Sequence, residues 1–84
     1  MPFKILPTKE FERDFRKLDN FIAKKVKQKI EEMSLDPTRY KHLHYNLSGS
    51  SRLRIGKMRV IYSYDLNKGE IYLEKIVLKH KYRS

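Results

Sequence analysis

The sequence predicts an α+β domain in the order β-α-α-β-β-β, with an N-terminal helical hairpin packed on one face of an antiparallel sheet. Three observations predict it. Apolar residues recur at helical spacing from Phe11 to Met33. From Arg52 to Leu78 they alternate or cluster as Val, Ile and Tyr, which is strand chemistry. The two regimes meet at Asp36-Pro37, where the residue before proline is pushed out of the helical well. Helices grouped at one end of a chain and strands at the other give segregated layers rather than alternating βαβ units.

Each element has its own signal. Phe3-Lys4-Ile5-Leu6 reads as a short first strand that Pro7 stops. Thr8 is placed to cap the helix that follows, and Glu10 and Glu12 suit its positive N-terminal end. Phe11, Phe15 and Leu18 share one face of it, and Glu12 and Arg16 stand four apart in the favourable order for an ion pair. Asp19-Asn20 is read as a break, with Asp19 capping a second helix that buries Ile22, Val26, Ile30 and Met33. One continuous helix over 8–34 also satisfies the apolar spacing. At 1.5 Å per residue it would run to roughly 40 Å, too long for a chain of this size, so compactness favours the hairpin. Residues 39–51 form a loop containing His42 and His44 and ending in Ser48-Gly49-Ser50-Ser51. Arg52-Leu53-Arg54-Ile55 alternates with period two, Gly56-Lys57 permits a tight reversal, and Met58 to Tyr64 forms the return strand. Leu66-Asn67-Lys68-Gly69 is a turn, Ile71 to Leu78 a long last strand, and Lys79-His80-Lys81-Tyr82-Arg83-Ser84 a charged tail.

Composition bounds the function. Eighty-four residues allow one modest core and a single domain over 1–84. A hydrophobic fraction of 39% is too high for a chain expected to stay disordered. No stretch is long and apolar enough for a membrane span, and Met1-Pro2-Phe3-Lys4 lacks the apolar run of a signal peptide, so no membrane is expected and a cytoplasmic location is. Without cysteine there is no disulfide and no thiolate zinc site. Twenty Lys and Arg against ten Asp and Glu give a formal charge of +10. Residues 1–38 carry nine basic and seven acidic side chains, net +2; residues 39–84 carry eleven and three, net +8. A field this lopsided points to a polyanion, with nucleic acid as the default partner.

The chemistry-bearing residues follow from the strand period. If Leu53 and Ile55 face the helices, Arg52 and Arg54 stand on the open face, and Arg59 on the partner strand can join them. Three guanidiniums on a rigid sheet suit phosphate recognition, being planar, forked and always charged. Tyr62, Tyr64 and Tyr72 are read as packing residues with a polar tip, whereas Tyr82, in the charged tail, is free to stack on a base. His42 and His44 lack a third ligand nearby, so no metal and no cofactor are expected. One cofactor-free chemistry fits: attack of an RNA 2′-OH on its own adjacent phosphate. It needs the backbone held in line, one proton removed, another donated and the growing phosphorane charge neutralised. Arginines serve the last task, and His80 or a lysine in the cationic cluster could move protons.

The run Arg52-Leu53-Arg54-Ile55-Gly56-Lys57-Met58-Arg59-Val60-Ile61-Tyr62 resembles the RelE/ParE toxin superfamily, whose usual pattern has an aromatic where Met58 stands. Leu47-Ser48-Gly49 looks like the family's Leu-x-Gly before that strand, and Phe11 to Leu18 resembles its first helix. The resemblance covers nearly the whole chain. It implies a prokaryotic type II toxin whose RelE-like members cleave messenger RNA in the ribosomal A site, against ribosomal RNA, and are neutralised by a cognate antitoxin protein. Carried over residue by residue, it implies catalytic roles for Arg52, Arg54, Arg59 and Lys81, with His80 as rival to Lys81 and Tyr82 as the tyrosine of the C-terminal segment. Lys57, Lys79 and Arg83 are the accompanying RNA-binding candidates. Two other readings stand beside it: a ParE-like DNA gyrase poison, whose family shares the fold, and an RNA-binding module without catalysis.

Overall fold

The structure is a computed structural model and describes residues 3–39 and 50–78. Strand β1 (Lys4–Pro7) leads into helix α1 (Lys9–Arg16) and helix α2 (Asn20–Leu35). A 3-10 turn (Pro37–Arg39) follows, then strands β2 (Ser51–Ile55), β3 (Met58–Asp65) and β4 (Glu70–Leu78). The four strands form one sheet in the order β1-β4-β3-β2. The β2–β3–β4 meander is antiparallel, as expected, but β1 adds to β4 in parallel from Lys4 opposite Glu70 to Pro7 opposite Leu73, so the sheet as a whole is mixed. A parallel pair cannot be joined by a tight turn, and here both helices and two strands lie between its members in sequence.

The helix boundaries fall where the capping residues set them. The Thr8 hydroxyl accepts from the Phe11 N–H at 3.1 Å, and Asp19 Oδ1 accepts from the Ile22 N–H at 2.9 Å. The chain therefore breaks into a hairpin, with α1 against β4 and α2 against β2. The Glu12–Arg16 spacing does not close into an ion pair; among the described residues the salt bridge on the helices is Lys29 to Glu32, at 3.8 Å. The 3-10 turn after α2 carries no helical period. It forms because Asp36 Oδ1 accepts from both the N–H and the hydroxyl of Thr38, at 3.2 and 2.6 Å.

The core lies between the helices and one sheet face. Phe11, Val26, Ile30 and Met33 meet Leu53, Ile55, Met58, Val60, Tyr62, Ile71 and Leu73. Burying each large side chain is worth about 1.5–3 kcal/mol, so this face is fixed before any functional demand is met. Tyr62 is fully buried and its hydroxyl donates to the Pro37 carbonyl at 2.7 Å, tying the end of the helical region to the middle of the sheet.

Strand β4 departs from simple alternation. Ile61 pairs with Lys75, but the next residue, Tyr62, pairs with Leu73, leaving Glu74 as the extra residue of a β-bulge. Helix α1 completes the edge that β1 leaves open. Beyond Pro7, the Thr8 N–H donates to the Leu73 carbonyl at 2.9 Å, the Thr8 hydroxyl to the Glu74 carbonyl at 2.9 Å, and the Ile76 N–H to Asp14 Oδ2 at 3.0 Å.

Candidate nucleic-acid interface

The sheet face turned away from the helices is the candidate site, and strand register determines its composition. Residues directly opposite in an antiparallel pair share a face. Because Leu53, Ile55, Val60 and Tyr62 face the core, Arg52, Arg54, Arg59, Ile61 and Ser63 face outward. The tight turn at Gly56, where φ is +58°, brings Ile55 opposite Met58 and hence Arg54 directly opposite Arg59. Arg52 lies one step along the same face, opposite Ile61. Arg54 is exposed, Arg52 and Arg59 half-buried, and Lys57 stands exposed in the turn at the tip.

Two arginines directly opposed on a sheet place their Cβ atoms about 5 Å apart and repel. No carboxylate among the described residues forms an ion pair with Arg52, Arg54 or Arg59. The arrangement lowers stability unless an anion sits on it. A phosphate, with several oxygens to share between forked guanidiniums, is the anion that geometry suits.

Lys75 also belongs to this face, and the strand period had concealed it. Strict alternation from Ile71 and Leu73 would point Lys75 into the core. The bulge at Glu74 shifts the inward positions to Ile76 and Leu78 and turns Lys75 outward, opposite Ile61. The signal was present in the sequence: apolar residues at 71, 73, 76 and 78 skip one step, and two adjacent charges sit inside the strand. Ile61 is only 7% exposed although it lies outside the main core, between Arg52 and Lys75. Long basic side chains cover apolar surface with their stems while their charge stays in water.

Toward the β3–β4 turn the face changes character. Ser63 donates to Glu74 Oε2 at 2.8 Å, and Tyr72 donates its hydroxyl to Glu70. That hydrogen bond, with some desolvation and the negative charges of Glu70 and Asp65, pushes the Tyr72 phenol up to about 12. Tyr72 is therefore no packing residue of the helix-facing core, unlike Tyr62 and Tyr64. Its phenol stays protonated at neutral pH. Among the described residues no group of three His, Cys, Asp or Glu side chains gathers closely enough to hold a metal ion.

Of the expected site residues, the register brings together Arg52, Arg54 and Arg59, with Lys57 at the hairpin tip. Lys79, His80, Lys81, Tyr82 and Arg83 lie outside the described residues, as do His42, His44 and Leu47-Ser48-Gly49. A groove of about 510 Å³ lies on the opposite side, lined by Ile5, Phe11, Phe15, Ile30 and Leu73 with Arg16 at its edge, and does not include Arg52, Arg54 or Arg59.

Comparison with known proteins places the fold. The sequence model of the family described as "ParE toxin of type II toxin-antitoxin system, parDE" matches residues 5–80. The fold is similar to a chain of the toxin–antitoxin complex RelBE2 from Mycobacterium tuberculosis, at 25% identity and a TM-score of 0.83, covering 93% of this chain and 92% of that one. It is similar to a chain of the intact Escherichia coli RelBE complex, with 14% identity, a TM-score of 0.78 and coverage of 90% and 95%. It is also similar to a chain of the archaeal RelE–RelB complex from Pyrococcus horikoshii, with 17% identity, a TM-score of 0.77 and coverage of 94% and 97%. No curated protein matches by sequence.

Proposed function

The chain belongs to the RelE/ParE superfamily of type II toxin–antitoxin toxins, and from that premise we propose that it is a ribosome-dependent endoribonuclease cutting messenger RNA in the A site. The observation that carries the proposal is the directly opposed pair Arg54–Arg59, with Arg52 beside it, on the sheet face turned away from the helices. In the reaction the 2′-oxygen attacks the adjacent phosphorus and the bond to the 5′-oxygen of the next nucleotide breaks. The products are a 2′,3′-cyclic phosphate and a 5′-hydroxyl. The attacking hydroxyl loses its proton to a base and the leaving oxygen gains one from an acid, so the step is balanced without a metal or cofactor.

Arg54 and Arg59 hold the non-bridging oxygens, and their forked donors match the charge that grows as the phosphorane forms. Arg52 and Lys57 hold flanking phosphates. Guanidiniums remain protonated, so the proton movers are assigned to the C-terminal segment, Lys81 or His80, with Tyr82 stacking on a base and Lys79 and Arg83 on the backbone. The protein partner is a cognate antitoxin. Homologous toxins crystallised in complex with RelB support that assignment. Among the described residues no helix is long and apolar enough to cross a membrane.

A gyrase poison is the second reading, because the matching family model bears the ParE name. Incubation with translating ribosomes separates the readings. Codon-positioned cuts that persist in excess chelator and vanish with a 2′-deoxy nucleotide at the cut site are the expected result. Cleaved gyrase–DNA complexes without RNA cuts would transfer the chain to the gyrase branch. RNA binding without cuts would make it a non-catalytic module.

A further inference from the structure

We propose that the open sheet face carries a charge boundary that confines a bound single-stranded RNA backbone to its β2–β3 hairpin end, so that the RNA crosses the strands rather than running along them. This rests on the proposed reading of the face as an RNA-binding surface. Register divides that face into rows. Nearest the hairpin, Arg54 lies opposite Arg59, which lies opposite Val77. The next row is Arg52, Ile61 and Lys75. Beyond it stand Ser63 opposite Tyr72, with the bulged Glu74 held by Ser63, and last Asp65 opposite Glu70. The first two rows hold four cations and no acid. The last two hold Glu74, Asp65 and Glu70, with Lys4 of β1 opposite Glu70.

A backbone following β3 would pass from Arg59 over Ile61 and Ser63 to Asp65, from two cationic rows into fixed carboxylates. Those carboxylates are not free to swing away, because Glu74 accepts from Ser63, Glu70 from the Tyr72 hydroxyl, and Asp65 Oδ1 from the Lys68 N–H at 3.1 Å. A backbone crossing the strands meets only the cationic rows. The bulge sharpens the boundary, since it turns Lys75 outward on one side while Glu74 stands on the other. The acidic end is thus a specificity determinant, limiting how many phosphates the face takes.

The test uses free protein and non-cleavable 2′-O-methyl oligouridylates of increasing length. A triple variant Asp65→Asn, Glu70→Gln, Glu74→Gln keeps each acceptor oxygen while removing charge. A control variant Glu10→Gln, Glu12→Gln, Glu31→Gln removes the same charge from exposed helix positions. With the parent, affinity should stop rising at a shorter length than with the triple variant. The triple variant should also steepen the salt dependence by about 0.7 log unit per log unit of salt for each added phosphate, as Lys4 and Lys68 come into use. The control should keep the parent's length limit. Glu74→Gln alone should move the limit in the same direction, and decides the matter if the triple variant does not fold. An unchanged length limit in the site variants, or the same lengthening in the control, overturns the proposal while leaving RNA binding intact. A parent protein that binds no RNA overturns the underlying reading itself.

Discussion

Arg59 is a residue that the proposed function makes useful and that folding does not favour. It opposes Arg54 directly and has no ion-pair partner among the described residues. Arg59→Ala should therefore unfold at an unchanged or slightly higher temperature, since a like-charge repulsion is removed. Cleavage on ribosomes should fall by about 100-fold or more, the usual loss when one donor to transition-state charge is deleted. Circular dichroism and a ribosome cleavage assay check both halves; a folded variant with parental activity would remove Arg59 from the site. Tyr72 gives a residue-scale test of the acidic end. Its phenol is raised to about 12 by its hydrogen bond to Glu70 and by nearby negative charge, so the protonated form is favoured in the folded state. The resulting stabilisation is fully present below the ordinary value of 10.0 and is lost as pH rises through about 12. In an NMR titration of labelled tyrosines, Tyr72 should titrate late, and Glu70→Gln should bring it back toward 10.0. A Tyr72 midpoint that ignores the Glu70 substitution would contradict this account.

At the scale of elements, the joint between α1 and β4 is the most informative. β1 ends at Pro7, which brings no N–H to the ladder, and the remaining edge of β4 is satisfied by the turn into α1 and by Asp14. A helix here does the work of a strand. Asp14→Ala leaves the Ile76 N–H without its partner in a half-buried setting, a loss of about 1–3 kcal/mol. Asp14→Asn keeps an acceptor and should recover most of it. Urea unfolding gives the free energies and amide exchange at Ile76 locates the effect. Equal behaviour of the two variants would mean that the hydrogen bond contributes little. The same joint holds the bulge that turns Lys75 onto the arginine face, so an interaction on the helical side shapes the face opposite.

For the whole molecule, charge distribution governs association. Net charge is +2 over residues 1–38 and +8 over 39–84, so the field of a chain at +10 is directional. Free protein should bind RNA with steep salt dependence. An antitoxin segment that neutralises it should be acidic where it meets Arg52, Arg54 and Arg59, and its association should slow as salt rises. The purified toxin–antitoxin complex should then lose RNA binding at low salt. A complex that still binds RNA through those arginines as well as free toxin does would mean that inhibition works without masking the face.

The sequence alone determined what depends on neighbours along the chain. Thr8 and Asp19 set the helix starts, Asp36-Pro37 the end of the helical region, Gly56-Lys57 the hairpin, and alternation put Leu53 and Ile55 inward with Arg52 and Arg54 outward. These are short-range effects, settled by sterics, local hydrogen bonds and side-chain period. The tertiary structure decided what depends on residues far apart in the chain. That β1 lies parallel to β4 follows from how the sheet closes, since one short strand can join an edge in either direction. That Asp14 serves Ile76, sixty-two residues away, is a consequence of docking. That Lys75 joins the arginines and Glu74 bounds them depends on a bulge whose spacing was visible but whose outward residue was set by pairing with β3. Composition revealed a basic chain; register made one half of a single sheet face cationic and the other acidic, because only pairing fixes which side chains from different strands stand together.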